Sequence, residues 1–568
     1  MFCLLYSAFD MPPSTLAKRA WLLLLAATFV VYLYGLGRAP FLGPDEPRYA
    51  QVAREMFERR DLVTPTLAGH TWFEKPALLY WGMIAGFRVF GVSEFAARLV
   101  AACAGLFTVL FVGWIAARAE RGHVDTVDDG ARSFGLISTA VTASSAGLMV
   151  FARGASFDIL VTMTITATLA FFFTAESEEK SRKRFWLLVG CYAGAGAALL
   201  AKGLIGIVIP GGIIALYYVF RRRPPKLLRL GILWGPLVTI GVAATWYAPV
   251  IAQHGWTFVD EFFVQHHFAR YVSNKYHHPQ PPYFYLPILL LLALPWTMFL
   301  VAALARARRW EWRGESAMDR LRLFSLAWLV VPVAFFSLSG SKLPGYILPA
   351  LPGAALLASG ELLRYVRGEG RGMAMRVTGG MILLLGVAGM IFQLSTRYIS
   401  MACALAICLP ITAVGGLALV WAQRRITTVS SIVSVTFATV MLIVNCVLDD
   451  AARGESVRDL LQQAAQRGYA STPVVQLHTR ERTSEFYAAR RLAYDEHGEP
   501  VKFEGVFQVV DAARRSGGIM LVIVPLEFIN QLHESEELEV EVIGDNGSLA
   551  LVAVKVRGGA RRMAEARP

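Results

Sequence analysis

The chain has 568 residues, 55% of them hydrophobic and only 17% charged, with a mean hydropathy of +0.48. Ordinary soluble domains carry roughly 25% charged residues, so a soluble enzyme is excluded and the chain reads as a membrane protein. The net charge of +13 invites a nucleic-acid reading, but Lys and Arg sit in short clusters between apolar runs. That pattern fixes topology beside an anionic leaflet, and no nucleic-acid partner is expected.

The start, Met1 to Phe9, is too short to span, and Met11 could be the true first residue. No cleavable signal stands out, so the apolar run from Trp21 reads as a retained anchor. A spanning helix needs about 20 mostly apolar residues. That filter selects 20–36, 95–117, 133–151, 157–175, 184–200, 203–221, 227–252, 283–305, 321–338, 343–363, 375–394, 399–422 and 429–447. The short apolar stretch 76–90, after Pro76, is expected to lie along the interface. Apart from Cys3, the six cysteines lie inside apolar segments, and none has a CxxC partner, which argues against a metal knuckle and against a disulfide framework.

The loops test this list. Lys18 and Arg19 precede the first span, and Arg118, Arg121 and Arg132 follow the second. Lys180, Arg182, Lys183 and Arg184 follow the fourth; Arg221, Arg222, Arg223, Lys226 and Arg229 follow the sixth. Further sets are Arg306, Arg308, Arg309, Arg313 and Arg320, then Arg364, Arg367, Arg371 and Arg376, then Arg424 and Arg425. Basic residues thus occupy alternate loops, which the positive-inside rule makes cytoplasmic. The expected organisation is a membrane domain over 1–447, with a first outer loop over 37–94, and an outer domain over 448–568. In that tail, SVRDLLQQAAQRGY, SEFYAARRL and GVFQVVDAARRSGG read as helical. PVVQLH, IMLVIVP, LEVEVIG and LALVAVKV read as strands, the last two joined by the turn signal Asp545-Asn546-Gly547. The fold class is an all-α polytopic membrane protein of about thirteen spans with a small α/β extracytoplasmic domain. The final GGARRMAEARP is expected to be disordered.

The outer loops hold the unusual residues. The first contains Asp45-Glu46-Pro47-Arg48-Tyr49-Ala50 and then Phe73-Glu74-Lys75-Pro76; the second contains Arg153 and Asp158. Lys202 sits at a tight join, His266-His267-Phe268-Ala269-Arg270 precedes the eighth span, and Ser341-Lys342-Leu343-Pro344-Gly345-Tyr346 opens the tenth. Each has a bland explanation. Asp45, Glu46 and Asp158 could cap helices, Lys202 and Lys342 could snorkel, and the histidines could be ordinary interfacial ones. Five outer loops carrying such residues, with no inner equivalent, favour a site over coincidence.

DEPRYA, EKP, HHFAR and SKLPGYILPALP, in that order, resemble the bacterial lipid-to-lipid sugar transferases of glycosyltransferase family 83, which include the lipid A aminoarabinose transferases. More distantly the chain is similar to the protein O-mannosyltransferases (family 39) of the GT-C superfamily. The motifs cover about residues 20–365. The resemblance implies a GT-C fold and an enzyme that moves a sugar from a polyprenyl (undecaprenyl) phosphate donor to lipid A, another envelope lipid, a glycan or a protein. It makes Asp45 the catalytic carboxylate and Asp158 a second acidic position. Lys75 would hold the donor phosphate, and Lys342 and Tyr346 would line the lipid-phosphate pocket. Glu74 and His267, the latter aligned through Arg270, would match a divalent-metal position. Some relatives read Glu-His where this chain reads His266-His267, which leaves metal and acceptor open.

The residue types suit that chemistry. A sugar on a lipid phosphate is already activated, so no nucleotide loop is needed, and none occurs. Charge developing on the departing phosphate could be met by Lys75, Lys202, Arg270 and Lys342, with Arg48 and Tyr49 beside the donor. Asp45 could take the proton of an acceptor hydroxyl, or orient a phosphate acceptor, with single-displacement inversion at the anomeric carbon. The rival is a transporter or flippase, for which inverted repeats and midplane charges would be expected; neither is apparent.

Overall fold

The computed structural model describes residues 15–120, 133–269, 280–370, 372–496 and 498–557. Arg270 and the final 558–568 segment lie outside these, as do the side chains of His266 and His267. Two compact units emerge, and the chain passes between them more than once.

The first comprises Met1–Tyr34, Phe73–Leu79 and Arg98–Ile443 and is helical. Among the described residues nine helices are long and apolar enough to cross a membrane, and the protein is a multi-pass membrane protein. Phe157–Ser177 and Pro344–Arg367 are buried along most of their length. Within Phe157–Ser177 the hydroxyls of Thr162, Thr164, Thr166, Thr168 and Thr174 donate to carbonyls four residues back, so a threonine-rich helix packs without orphaned hydroxyls.

All thirteen selected stretches are helical, but three are broken, and the 227–252 stretch divides into Leu227–Leu230 and Gly235–Val259. The 133–151 stretch divides into Phe134–Ala143 and Ala146–Phe151, and the 283–305 stretch into Tyr285–Leu292 and Thr297–Ala305. Ser144 and Ser145 turn their hydroxyls back onto Ala140 O and Val141 O (2.6 and 2.7 Å), which bends helices. Pro295 lacks the N–H to continue the 283–305 stretch. Backbone groups freed in hydrocarbon must find partners, and these two breaks satisfy each other. Ala146 N–H donates to Leu294 O (2.9 Å), and the Trp296 indole donates to Ser144 Oγ (2.9 Å).

The second unit comprises Gly35–Trp72, Tyr80–Ala97 and Val444–Pro568. Its first part contains the helix Asp45–Arg59 and a hairpin of β1 (Thr66–Leu67) and β2 (His70–Thr71). Glu55 ties them, accepting from Thr66 Oγ1 at 2.7 Å and from Ala68 N at 2.8 Å. The short apolar helix here is Leu78–Phe90. The C-terminal part holds a five-stranded sheet built from β3 (Val474–Leu477), β4 (Lys502–Phe503), β5 (Ile519–Pro525), β6 (Leu538–Asp545) and β7 (Leu549–Val556). The order is β4-β3-β5-β7-β6, parallel over the first three and antiparallel after. Side chains alternate between faces along a strand. Met520, Val522 and Val524 therefore pack with Val509 and Ala513 of the Val506–Arg515 helix, while Leu521 and Ile523 pack with Leu460 and Leu461 on the other face. The Asn-Gly turn joins β6 to β7, with Gly547 at φ 89°.

Cys403 and Cys446 are disulfide-bonded, against the sequence expectation. They are the third residue of Met401–Val420 and the last of Arg425–Cys446, so they stand at helix ends rather than within spans.

Candidate functional site

In the membrane unit, the site begins where two helix termini meet. Asp158 is in the first turn of Phe157–Ser177, where Ser156 Oγ accepts its N–H (3.0 Å). Lys202 is the last residue of Ser181–Lys202, and Gly203 turns the chain with φ 68° before Ile205–Arg221 begins. A carboxylate suits the positive end of a helix and an ammonium the negative end. Here they are joined directly: Lys202 Nζ bonds Asp158 Oδ1, with both side chains under 20% exposed. The ammonium also lies over the Tyr346 ring, 4.5 Å from its centroid, within cation–π range.

The segment 339–346 closes over this pair. A Cβ at Gly345 would lie 2.2 Å from Asp158 Oδ2 and 2.8 Å from Phe151, so only glycine allows the approach. Tyr285 anchors the segment by donating to Leu343 O at 3.2 Å. Lys342 is buried, and its Nζ donates to Ser339 O at 2.7 Å. One carbonyl leaves two N–H donors, and among the described residues no carboxylate pairs with them. The Ser341 hydroxyl beside it is buried without a hydrogen-bond partner.

Glu74 and Lys75 also belong to this unit and pair with each other at 2.6 Å. Phe73 before them is packed edge-on against His254 (5.0 Å) and Phe258 (5.1 Å). His267 is on the π-helical stretch Asp260–Ala269. Among the described residues no group of three His, Cys, Asp or Glu could hold a metal, and the Glu74 carboxylate is engaged by Lys75. Arg153, five residues before Asp158, binds Val31 O and Tyr34 O at 2.7 Å each and so caps the first helix.

Asp45, Arg48 and Tyr49 lie in the second unit on Asp45–Arg59. Glu46 reaches back to Leu42 N–H at 3.1 Å, ahead of the helix, and neither carboxylate caps a helix N–H among the described residues. Asp45 is exposed and makes no hydrogen bond or ion pair among the described residues. Arg48 lies over the Trp72 ring (5.1 Å) and 3.5 Å from the wholly buried Glu485 carboxylate, which Arg482 also holds at 2.8 Å. Tyr49 is 7% exposed. Around this helix, Tyr487 OH donates to Glu94 (2.9 Å) and accepts from Phe41 N–H (2.8 Å), while Arg490 pairs with Glu58 at 2.7 Å. Gly345, Tyr285 and Glu485 were not singled out in the sequence. Gly345 had a signal in the SKLPGY motif; Glu485 had none, because one of its two partners, Arg48, comes from the far end of the sequence.

The dolichyl-phosphate-mannose-protein mannosyltransferase family model matches residues 20–307. The undecaprenyl phosphate-alpha-4-amino-4-deoxy-L-arabinose arabinosyl transferase of Pseudomonas savastanoi pv. phaseolicola is 34% identical over 377 residues, 65% of this chain and 66% of that protein. Its counterpart in Pseudomonas aeruginosa (strain UCBPP-PA14) is 33% identical over 65% of this chain and 64% of its own length. The match thus spans less than two thirds of these curated relatives. The crystal structure of ArnT from Cupriavidus metallidurans bound to undecaprenyl phosphate superposes with a TM-score of 0.73 at 22% identity, covering 95% of this chain and 98% of that one. The same protein in the apo state gives a TM-score of 0.74 at 21% identity, with the same coverage. At that identity the likeness establishes the fold.

Proposed function

The chain belongs to the dolichyl-phosphate-mannose-protein mannosyltransferase family, and from that premise we propose that it is a glycosyltransferase acting at the outer face of a bacterial inner membrane. It moves a sugar from an undecaprenyl-phosphate donor to lipid A or another envelope lipid, with inversion. The observation that carries this reading is Lys202, held between Asp158 and the Tyr346 ring, with a second ammonium, buried Lys342, four residues before Tyr346 in the same segment. A pair of ammonium groups in a water-poor site is what a departing lipid phosphate needs. The relatives named as undecaprenyl phosphate-alpha-4-amino-4-deoxy-L-arabinose arabinosyl transferases support the donor class.

In the reaction, an acceptor oxygen attacks the anomeric carbon, the bond from that carbon to the phosphate oxygen breaks, and polyprenyl phosphate leaves with the electron pair. Lys202 and Lys342 balance the added charge, and Asp158 acts as a positioning residue by holding Lys202. Lys75, paired with Glu74, and Arg270 are further donor-phosphate candidates. Exposed, unpartnered Asp45 takes the proton from a hydroxyl acceptor; a phosphate acceptor needs none removed. No step is routed through a metal.

The alternating basic loops support an outward active site and C-terminal domain. The disulfides at Cys403 and Cys446 point the same way, since disulfides persist in oxidising compartments. A second reading, lipid transport, draws on the paired helix breaks, because transporters use broken helices.

The test is transfer from a labelled polyprenyl-phosphate sugar in washed membranes, comparing the full chain with Asp45→Asn and Lys342→Met. Label should enter lipid with the opposite anomeric configuration, and each variant should lose about 100-fold or more. Full activity in both variants would discard the site. Donor translocated without bond cleavage would replace transfer by transport.

A further inference from the structure

At the other end of the membrane unit, three consecutive arginines close the Ile205–Arg221 helix, and they are not equivalent. Arg221 pairs with Glu176 (3.0 Å) and Glu315 (3.2 Å), and Arg223 pairs with Glu315 (2.7 Å). Arg222 between them has a left-handed backbone (φ 51°) and pairs with neither carboxylate. It is exposed, and while its backbone N–H donates to Val219 O (3.0 Å), its side chain makes no ion pair or hydrogen bond among the described residues.

Arg222 stands instead in the wall shared by two clefts. One, of about 770 Å³, runs between helices and is lined by Phe172, Leu188, Ile214 and Ala215, with Tyr192 and Tyr218 also in its wall. The other, of about 680 Å³, is lined by Trp310, Trp312 and Arg313, with Glu311 the one carboxylate. Both volumes are in the range of small-molecule sites. An apolar channel leads to an unneutralised guanidinium, and tyrosines and tryptophans mark the depth where chains give way to headgroups.

We propose that this is a binding site for an anionic phospholipid of the leaflet facing the arginine-rich loops. One acyl chain lies along Phe172 and Ile214, and the phosphate is held by Arg222, a residue able to bind it bidentately. In the apolar cleft, where Arg223 is paired with Glu315, the selectivity for an anion rests on Arg222. The site lies on the basic-loop end of the helices, apart from the Asp158 cluster, and does not depend on the transfer reaction.

The test is native mass spectrometry of the purified full chain titrated with phosphatidylglycerol or phosphatidylcholine. Phosphatidylglycerol should bind with clear preference, falling about fivefold in Arg222→Gln and unchanged in Arg309→Gln, an exposed arginine outside both clefts. Ala215→Trp, which fills the apolar channel while keeping Arg222, should abolish binding of both lipids. Equal binding of the two lipids by the native chain, or undiminished preference in Arg222→Gln, would overturn the proposal. So would displacement of phosphatidylglycerol by polyprenyl phosphate, which would make the cleft part of the donor path.

Discussion

Removing the carboxylate of Asp158 should strand Lys202, and the size of the effect follows from what surrounds the ammonium. The pair is 18% and 13% exposed. Breaking a buried ion pair from one side costs about 3–5 kcal/mol, because a charge is left without its partner. Lys202 would keep the Tyr346 face, about 0.5–2 kcal/mol, and the helix C-terminus, about 0.3–1 kcal/mol. Asp158→Asn should therefore destabilise the protein by roughly 2–3 kcal/mol. Lys202→Met should cost a similar amount, through a carboxylate left at a helix N-terminus. The double variant, with neither charge, should return to within about 1 kcal/mol of the native protein. Activity should separate from stability in the same cycle. The double variant refolds the site without its cation, so transfer stays down by about 100- to 1000-fold. Thermal unfolding in detergent and label transfer in membranes measure the two sides. If the double variant is destabilised by the sum of the singles, the residues are not coupled. If Lys202→Met transfers at the native rate, the phosphate role is wrong.

Gly345→Ala puts a methyl 2.2 Å from Asp158 Oδ2, so it should cost about 1–3 kcal/mol by overpacking and lower transfer, read by the same two assays. Burial pushes the Glu485 carboxyl above the usual range despite Arg48 and Arg482. The folded protein thus holds that proton more tightly than the unfolded chain, and the stability involved is full below the ordinary value of about 4.3 and lost as pH rises through the raised one. Glu485→Gln should flatten that part of the curve of unfolding midpoint against pH; an unchanged slope would contradict it. Cys403 and Cys446 should resist a maleimide on the unfolded chain until a reductant is added, counted by mass; labelling without reduction would remove that support for an outward-facing end.

The helices were legible because hydrocarbon imposes one dominant rule, long apolar runs with satisfied backbones, and thirteen runs stood out. Their interruptions were less so. Ser144-Ser145 and Leu294-Pro295 read as ordinary content of apolar stretches; only their mutual hydrogen bonds explain why a bilayer tolerates both. In the tail, alternation exposed four strands, while β4, two residues long, was too short for any period to register.

The charged residues show where sequence reasoning stops. Asp158, Lys202 and Tyr346 could be named because each is odd in an apolar setting, but their meeting depends on helix ends distant in sequence. Arg48 stands three residues after Asp45, in one motif, yet its guanidinium faces Glu485 and Trp72. Two residues a helical turn apart thus serve different ends: one is exposed without a protein partner, the other is neutralised by a carboxylate from the C-terminal sheet region. A motif in a sequence records that residues occur together. Which of them is left with an unspent charge depends on the partners that folding supplies, and at Asp45 it supplies none among the described residues.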